Sequence, residues 1–329
     1  MTLAAPTDWQ PRSFGRVAVL MGGTSAEREV SLASGQAILQ ACQQLNLDVQ
    51  PLDLGSNPIK QLIDMAPDWA FNIVHGGYGE DGLLAAALEL LGTRSPASTS
   101  KAMALAMHKH YSKALWRQAG LPTPNWCLLQ TGKPASGEAT NIQPDLACEH
   151  IYASGLQLPL VIKPPSEGSS IGLYLVHSAA ELEQALSKAL PVFDQLLVEE
   201  LISGTEITMG IVGETVLPVI EIQPDRGVYD YYAKYQSANT RMLIPTNLGD
   251  AIEKQARELA LAAFNALGCD IWGRVDAMVD ARGNIYLLEI NTVSGMTDHS
   301  LVPYAAQHIG LSFADLVQEI FITAQNRCA

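Results

Sequence analysis

The stretch GRVD, residues 273–276, and the stretch LEIN, residues 288–291, say most about how this chain folds. Both have the apolar alternation of short β-strands, and the turn-forming residues between them predict a hairpin. Two such strands side by side place the side-chain oxygens of Asp276, Glu289 and Asn291 on one rim. This set suits a hard cation such as Mg²⁺, which takes one or two carboxylates together with substrate phosphates. A polar surface hairpin with a salt bridge is the alternative for this stretch on its own.

An arginine and a lysine stand near strand ends, where a phosphate group would meet them. Arg274 lies two residues before Asp276, so both side chains point to the same face of the strand. A guanidinium beside a metal ion is typical of phosphoryl and acyl-phosphate chemistry, in which negative charge develops. Lys163 ends another apolar strand and precedes the Gly/Ser turn 167–170, whose backbone N–H groups suit phosphate. A lysine stem that covers apolar surface beside an ordinary turn is the alternative.

The composition describes a globular protein with a substantial core. The chain has 329 residues, of which 48% are hydrophobic and 16% charged, enough for two or three domains. A net charge of −14 argues against a nucleic-acid or anionic-membrane partner. It is compatible with ATP, because metal ions and a few cationic side chains reverse the field inside a cleft. Five scattered cysteines without a CxxC pair predict neither a disulfide framework nor a zinc site and favour a reducing cytoplasm.

The N-terminal segment lacks the pattern of a targeting signal. Residues 1–14 contain two prolines and no apolar core, so they predict a flexible tail. Elsewhere the apolar runs are short or interrupted by charges, and no membrane-spanning helix is expected.

In the first third of the chain, apolar strands alternate with helical segments, which predicts a parallel sheet with crossover helices. Ligands bind at the carboxyl ends of such strands, where the Gly-rich loops 22–25 and 75–82 stand. Glu27 and His75 lie in or beside these loops and are candidates for ligand contact. The alternatives are a carboxylate that complements the helix dipole and a structural histidine, and Glu80 fits an N-cap role equally well. The GxGxxG spacing is absent, which argues against a dinucleotide-dependent dehydrogenase.

The pattern predicts a helix from Met103 to Ala119. Pro122 and Pro124 break this helix and restart the chain as a strand, which predicts a domain boundary near them. Residues 131–144 are rich in Gly, Pro and small polar residues and predict a loop. The stretch YDYYAKY at 229–235 has four tyrosines in seven residues and neither helical nor strand periodicity. Such a segment indicates a lid over a site, with an ordinary surface loop as the alternative.

Taken together, these segments resemble the D-alanine–D-alanine ligases. The stretch LMGGTSAEREVS at 20–31 is similar to the opening signature of that family, and HGGYGEDG at 75–82 is similar to its HGxxGEDG element. Further matching segments follow in the family's order at 163–172, 229–235, 273–276, 288–296 and 299–303. The resemblance covers roughly residues 16 to 320, and several long motifs in one order make it specific.

The resemblance implies a fold. Members of the family belong to the ATP-grasp superfamily, which joins an N-terminal α/β domain to two α+β domains that hold ATP between antiparallel sheets. We therefore expect a flexible tail at 1–14 and a Rossmann-like parallel-sheet domain with the first D-alanine site at 15–108. A central ATP-grasp domain at 109–200 and a C-terminal ATP-grasp domain at 201–329, which carries the metal and catalytic site, would follow.

The resemblance also implies an activity. Family members condense two D-alanines to D-alanyl-D-alanine through D-alanyl phosphate, at the expense of ATP, for peptidoglycan synthesis in cell-wall biogenesis and cell shape. The implied cofactors are ATP as a substrate, two Mg²⁺ or Mn²⁺ ions, and K⁺ as an activator. The implied state is a cytoplasmic homodimer that binds two D-alanine molecules and ATP, with no nucleic acid and no membrane insertion.

The family's motifs imply residue roles in this chain. Metal binding falls on Asp276, Glu289 and Asn291. ATP binding falls on Lys109, Lys163, Glu199, Leu201, Glu206 and Lys234. Binding of the two D-alanines falls on Glu27, His75, Arg274, Ser300 and Leu301. Catalytic roles fall on Glu27, Ser169, Tyr235, Arg274 and the backbone of Gly295, with Glu27, Ser169 and Tyr235 as a hydrogen-bonded set that closes the lid.

The chain departs from the family's pattern at several positions. His108 and Glu200 stand where Asp and Lys are common near the nucleotide, and Tyr232 replaces a frequent Glu. Val293 and Ser294 replace Ser-Pro in the element that follows the second hairpin strand. The departures near the nucleotide keep open a nucleotide-binding protein that has lost turnover.

The other open alternative is a ligase that joins D-alanine to a second substrate other than D-alanine. A depsipeptide-forming or broader D-amino-acid ligase has the same motifs. Relatives that make D-alanyl-D-lactate carry Phe where Tyr235 stands, so the tyrosine favours an amine as the nucleophile.

Overall fold

The computed structural model describes residues 9–130, 142–225, 239–297 and 299–328, which contain three sheets and ten α-helices. The first sheet is parallel, in the order β2-β1-β3, and comprises β1 (Arg16–Gly22), β2 (Asp48–Leu54) and β3 (Trp69–Asn72). Its crossover helices are α1 (Arg28–Gln44) and α2 (Pro58–Met65), and α3 (Leu83–Leu91) follows β3. The predicted α/β arrangement of this part is confirmed.

The strands of the first sheet end at a common edge. Leu20 of β1 pairs with Leu52 of β2 and with Asn72 of β3, so both Gly-rich loops leave the sheet side by side. The two loops are tied together, because the Ser25 hydroxyl donates to the carbonyl of His75 at 2.6 Å. All of β1 after Arg16 is buried, as expected for a parallel strand covered by helices on both faces.

The second and third sheets are antiparallel. Helices α4 (Ser100–Met107) and α5 (Lys109–Gln118) lead into the second sheet, which has the order β4-β7-β5-β6. Its strands and helices are β4 (Trp126–Gln130), α6 (Pro144–Ala153), β5 (Leu160–Lys163), β6 (Tyr174–Val176), α7 (Ala179–Ala189) and β7 (Gln195–Glu200). The third sheet has the order β11-β10-β8-β12-β13, and β9 pairs with β8. Its elements are β8 (Gly204–Val212), β9 (Thr215–Val216), β10 (Ile220–Gln223), β11 (Arg241–Leu243), α8 (Asp250–Ala266), β12 (Trp272–Asp280) and β13 (Ile285–Asn291), followed by α9 (Leu301–His308) and α10 (Phe313–Cys328).

The predicted hairpin is the β12–β13 pair. Asp276 lies directly opposite Glu289, and Arg274 lies opposite Asn291, so the predicted rim exists. A register shift directly after Asp276 ends the regular pairing at this point. Because β12 also pairs with β8, Asp276 stands on a strand that is hydrogen-bonded along both edges, while Glu289 and Asn291 stand on the edge strand β13.

The hydrophobic cores only partly follow the predicted domains. One core belongs to the second sheet with α6 and α7. Another joins the first sheet and α1 to the C-terminal helices α9 and α10. Helix α5, which the boundary at residue 109 assigns to the central domain, packs instead with the third sheet, where Trp116 donates from Nε1 to the carbonyl of Ala263 at 3.0 Å. The boundaries themselves stay predictions.

Two local expectations are corrected. The N-terminal segment was expected to be a flexible tail through residue 14, but Pro11–Phe14 form a 3₁₀ helix and Phe14 is buried against Trp69 and Phe321. The helix expected from Met103 to Ala119 is two helices, because His108 adopts an extended conformation (φ −92°, ψ 94°) that ends α4.

Several expectations fall on other parts of the chain. Residues 1–8 and most of the loop expected at 131–144 lie outside the described residues, as does the whole stretch 229–235 with Tyr232, Lys234 and Tyr235. Within the described parts of the chain, no helix combines the length and the apolar character needed to cross a bilayer.

Candidate active site

A cavity of about 420 Å³ lies between the carboxyl edge of the first sheet, the 168–169 turn and the rim of the β12–β13 hairpin. Nine residues that the sequence analysis assigned to substrate, metal or catalysis line it, namely Glu27, His75, Ser169, Arg274, Glu289, Asn291, Gly295, Ser300 and Leu301. Glu27 and Leu301, 274 positions apart in sequence, therefore share one cavity. Because these residues line one cavity, a role in ligand binding is a better interpretation of each than a purely structural role.

Glu27 faces the 168–169 turn. It stands at the N-cap of α1 after Gly22 and Gly23, which both have φ of 86°, so the chain turns sharply out of β1. Its side chain makes no capping bond to the helix; instead the carboxylate accepts a hydrogen bond from the hydroxyl of Ser169. Ser169 itself has a positive φ of 49°, a conformation that costs energy in a non-glycine residue and marks functional turns. The pair joins the first sheet's loop to the second sheet.

His75 and Glu80 form a second polar pair beside Glu27. His75 Nδ1 lies 3.3 Å from Glu80 Oε1, and the histidine is 4% exposed. Among the residues that the structure describes, none bonds to His75 Nε2, although this atom is buried. A buried polar atom of this kind at a cavity wall suits contact with a polar ligand. The N-cap alternative for Glu80 does not hold, since Asp81 accepts from the backbone N–H of Leu83 at the start of α3.

Arg274 is held by Asp276 in a side-on ion pair. Its Nε donates to Oδ1 at 2.9 Å and its Nη2 donates to Oδ2 at 2.7 Å. Asp276 also accepts from the hydroxyl of Thr208 at 2.6 Å and from Nδ2 of Asn291 at 2.9 Å. A carboxylate with this many donors is fixed in place, and it fixes the guanidinium in turn. Thr208, on the neighbouring strand β8, was missed by the sequence analysis because its register is a tertiary property.

The rim fits a divalent cation by its donor set. Asp276 and Glu289 supply carboxylate oxygens, and rotation of the Asn291 amide would supply a third oxygen. Within the described ranges there is no cluster of three His, Cys, Asp or Glu residues suited to a metal. Two carboxylates and one amide leave most coordination positions to water and phosphate, which is how Mg²⁺ usually binds.

Lys109 lies at the same rim. Its Nζ is 3.0 Å from Glu289 Oε2 and donates to the backbone carbonyl of Glu167 at 2.9 Å. The lysine therefore connects the metal rim to the Gly/Ser turn that the sequence analysis assigned to phosphate. His108 does not reach this rim; its ring stacks on Tyr111 and lies 3.0 Å from Oε1 of Gln195.

Two lysines share the buried carboxylate of Glu199. Lys163 Nζ lies 2.5 Å from Oε1, and Lys113 Nζ lies 2.9 Å from Oε2. Burial alone would raise the pKa of Glu199, but the charges of Lys113 and Lys163 outweigh it and lower that pKa to about 2. The sequence analysis missed Lys113. Its position one helical turn after Lys109 on α5, on the same face, was the available signal.

The two lysines respond differently to their surroundings. Burial lowers the pKa of Lys113 to about 8, and the attraction of Glu199 offsets only part of that effect. Burial also acts to lower the pKa of Lys163, but Glu199 and Glu289 outweigh it and raise that pKa. Lys163 therefore stays cationic and suits a phosphate, as predicted from the sequence.

Leu201 and Glu206, which the sequence analysis also assigned to ATP, lie just after β7 and on β8, respectively. Leu201 follows β7 and its N–H donates to the carbonyl of Pro159 at 3.1 Å, while Glu206 lies in β8 opposite Met278. Glu200, where the family commonly has Lys, accepts from the side chain of Asn125 at 3.0 Å. The Glu200 carboxylate at this position therefore has a hydrogen-bond partner nearby.

The loop after β13 places Gly295 beside Ser300. A Cβ atom on Gly295 would lie 3.0 Å from the Ser300 hydroxyl, a tight contact that a small shift of the serine would have to relieve. Ser300 begins α9, and its hydroxyl accepts from the N–H of Thr297 at 2.9 Å. The loop is anchored from behind, since the N–H of Met296 donates to the buried hydroxyl of Ser34 at 3.1 Å.

Comparisons with known proteins agree with this arrangement. The family model described as the D-ala D-ala ligase C-terminus matches residues 115–322. A D-alanine–D-alanine ligase from Burkholderia ambifaria is 43% identical over 317 residues, which are 96% of this chain and 98% of that protein. The crystal structure of D-alanine–D-alanine ligase from Bacillus anthracis complexed with ATP has a TM-score of 0.77 at 29% identity, covering 95% of this chain and 98% of that one. The VanG D-Ala:D-Ser ligase from Enterococcus faecalis has a TM-score of 0.79 at 27% identity, covering 94% and 99%.

The fold and the site define an ATP-grasp ligase, an enzyme with a parallel-sheet domain and two antiparallel sheets. Within that class, the chain belongs to the D-alanine–D-alanine ligase family.

Proposed function

We propose that this enzyme condenses two D-alanine molecules to D-alanyl-D-alanine at the expense of ATP, through D-alanyl phosphate, for peptidoglycan synthesis. The observation that carries the proposal is the single cavity in which Glu27, Arg274 and Ser300 meet, since it joins an ammonium site, an oxyanion site and a carboxylate site. Three such sites in one chamber suit two amino acids that must approach each other.

In the first step, the carboxylate of the first D-alanine attacks the γ-phosphorus of ATP and ADP leaves. Glu27 binds the ammonium of that D-alanine as a charge-assisted pair, with His75 close to the substrate. Lys109 and Lys163 bind the phosphates, and Glu199 holds Lys163 in place from behind. The lid stretch 229–235, with Lys234 and Tyr235, would close over the site and exclude the water that hydrolyses an acyl phosphate.

In the second step, the amine of the second D-alanine attacks the acyl carbon, and the tetrahedral species collapses with loss of phosphate. Ser300 and Leu301 bind the carboxylate of the second D-alanine at the start of α9. Arg274 and the backbone N–H of Gly295 stabilise the oxyanion, which requires donors that are already oriented.

Asp276, Glu289 and Asn291 are the residues that would hold Mg²⁺ or Mn²⁺. When bound, these ions would supply positive charge that offsets the repulsion between the phosphates. Glu199 and Leu201 would contact the adenine, and Glu206 would contact the ribose. We further propose activation by K⁺, a homodimer, and a cytoplasmic location, the last supported by the free cysteines Cys42, Cys127, Cys148 and Cys269.

The test is phosphate release by the purified protein with ATP and Mg²⁺, with D-alanine compared to L-alanine and the product identified by mass. D-alanine-dependent phosphate release with D-alanyl-D-alanine as the product supports the proposal. Bound ATP without phosphate release refutes it in favour of a nucleotide-binding protein that has lost turnover.

The alternative function is a ligase that joins D-alanine to D-serine or D-lactate instead of to a second D-alanine. The similarity to a solved structure named as a D-Ala:D-Ser ligase favours it, because that relative has the same fold. Adding D-serine or D-lactate in competition with D-alanine decides the point: a mixed product in excess over D-alanyl-D-alanine would assign the enzyme to the broader class.

A further inference from the structure

Ser294 occupies an unusual position beside the proposed oxyanion site. It stands in the pair Val293-Ser294 that replaces Ser-Pro of the family's element, so a hydroxyl has moved one residue along the chain. Ser294 is 2% exposed and lines the cavity. Its hydroxyl accepts a hydrogen bond from Nη1 of Arg274 at 2.9 Å. A proline at this place would offer no such acceptor.

Ser294 contacts Arg274 from the loop after β13, whereas Asp276 contacts it from within β12. Asp276 holds Nε and Nη2 from within the same strand. Ser294 holds Nη1 from the loop after β13, so the guanidinium connects β12 to that loop. The side-on pair orients the plane of the guanidinium, and the hydroxyl fixes its distance from the loop.

That distance matters because of where the loop's donor sits. The N–H of Gly295 belongs to the peptide group formed with Ser294. Ser294 therefore ties Arg274 to the same peptide that carries the second proposed oxyanion donor. Two donors that converge on one oxygen lose effect when their spacing changes by a fraction of an ångström.

The hydroxyl is not required to anchor the loop itself. Val293 is 3% exposed in a hydrophobic core, and the N–H of Met296 bonds to Ser34, so the loop is held on both sides of Ser294. In the described part of the chain, Arg274 is the partner of the Ser294 hydroxyl.

We propose that Ser294 is a positioning residue for this enzyme's second step, one that sets the geometry of Arg274 relative to the Gly295 N–H; this rests on the proposed ligase function. The hydroxyl acts through Arg274, as an acceptor that a side chain without oxygen cannot replace. Loss of the hydroxyl lowers the rate of the chemical step and leaves substrate binding unchanged.

The experiment measures kcat and KM of Ser294→Ala, Ser294→Thr, Arg274→Lys and the double variant R274K/S294A, by phosphate release with D-alanine and ATP. We expect S294A to lower kcat about tenfold, with KM for both substrates within about twofold, because one hydrogen bond to a charged group is lost. S294T, which keeps the oxygen, retains kcat within about threefold. In the R274K background, S294A has no further effect, because its partner is already altered.

Ser98→Ala is the matched control. Ser98 is also a buried serine, 3% exposed, but its hydroxyl donates to the carbonyl of Asp270, outside the cavity lining. We expect S98A to lower the melting temperature at least as much as S294A while keeping kcat.

Other outcomes overturn the inference. An unchanged kcat in S294A would contradict it, and so would a raised KM at unchanged kcat. The third such outcome is a kcat in R274K/S294A that is lower than that of R274K by the same factor by which S294A lowers kcat in the wild type. If S294A does not fold, S294T decides, since a tenfold loss of kcat in a folded S294T contradicts the role of the oxygen. An inactive wild-type protein would instead refute the proposed function, so the two failures are distinguishable.

Discussion

Lys113 Nζ lies 2.9 Å from Glu199 Oε2 in the interior of the protein, where the two side chains are 0% and 3% exposed. Lys113 also donates to the hydroxyl of Thr123 at 2.8 Å, which in turn donates to the carbonyl of Leu287 at 2.8 Å. A chain of polar contacts thus runs from the second sheet through α5 to β13 of the third. Lys163, which the sequence analysis assigned to ATP, shares the Glu199 carboxylate with Lys113.

Removing Lys113 should destabilise the protein strongly. Lys113→Met leaves the buried Glu199 with one cationic partner, and breaking one side of a buried ion pair costs about 3–5 kcal/mol of unfolding free energy. Urea unfolding followed by circular dichroism measures this. The control is Lys60→Met, which removes the exposed Lys60–Asp64 pair and should change stability by less than about 0.5 kcal/mol. Equal changes of unfolding free energy in the two variants would show that the buried pair stabilises the protein no more than the exposed pair does.

Acid should destabilise the protein through Glu199. Its pKa lies at about 2 in the folded protein against an ordinary 4.5. Above pH 4.5 the carboxylate is charged in both states and the stabilisation is complete. As the pH falls from 4.5 through 2, the unfolded state binds the proton first, so about 3 kcal/mol is lost.

A double variant isolates this contribution. Lys113→Met combined with Glu199→Gln removes the titrating group while other carboxylates titrate as before. Its unfolding free energy should therefore fall less steeply than that of the wild type between pH 4.5 and 2. Parallel curves for the two proteins would contradict the assignment.

The hydroxyl of Ser169 should matter for the first D-alanine. In Ser169→Ala, the Glu27 carboxylate loses a donor that holds it toward the cavity. The KM for the first D-alanine should therefore rise about tenfold, in line with loss of a hydrogen bond to a charged group. Two-substrate kinetics at saturating ATP gives this constant. Ser170→Ala, in the same positive-φ turn, is the control and should leave it within twofold. A KM that rises equally in both variants would assign the effect to the turn rather than to the Glu27 contact.

Much of this site could be predicted because its residues stand at strand ends. The period of the apolar pattern places Arg274 and Asp276 on one face, and the antiparallel register of a hairpin then brings Glu289 opposite Asp276. The Gly-rich loops were predictable for the same reason, since carboxyl ends of parallel strands meet at one edge. These are properties of neighbours in one or two strands.

The missed features depend on packing between distant elements. Thr208 reaches Asp276 only through the β8–β12 register, and Lys113 reaches Glu199 only because α5 packs across the third sheet. The break at His108 was hidden as well, because no glycine or proline between Met103 and Ala119 marks it. The sequence pattern of a single helix or strand carries no information about contacts between distant elements.

Glu289 offers the sharpest test of the metal rim. Glu289→Gln keeps the size of the side chain and removes one carboxylate charge, so it should weaken divalent binding about tenfold while Lys109, which lies 3.0 Å from Oε2, loses its ionic partner. Mn²⁺ binding followed by electron paramagnetic resonance, with a non-hydrolysable ATP analogue present, reports affinity without turnover. The exposed Glu214→Gln, which removes the same charge away from the cavity, should bind Mn²⁺ as the wild type does. Because the net charge changes equally in both variants, a tenfold loss confined to E289Q locates the ion at the rim, and equal binding in both would move it elsewhere.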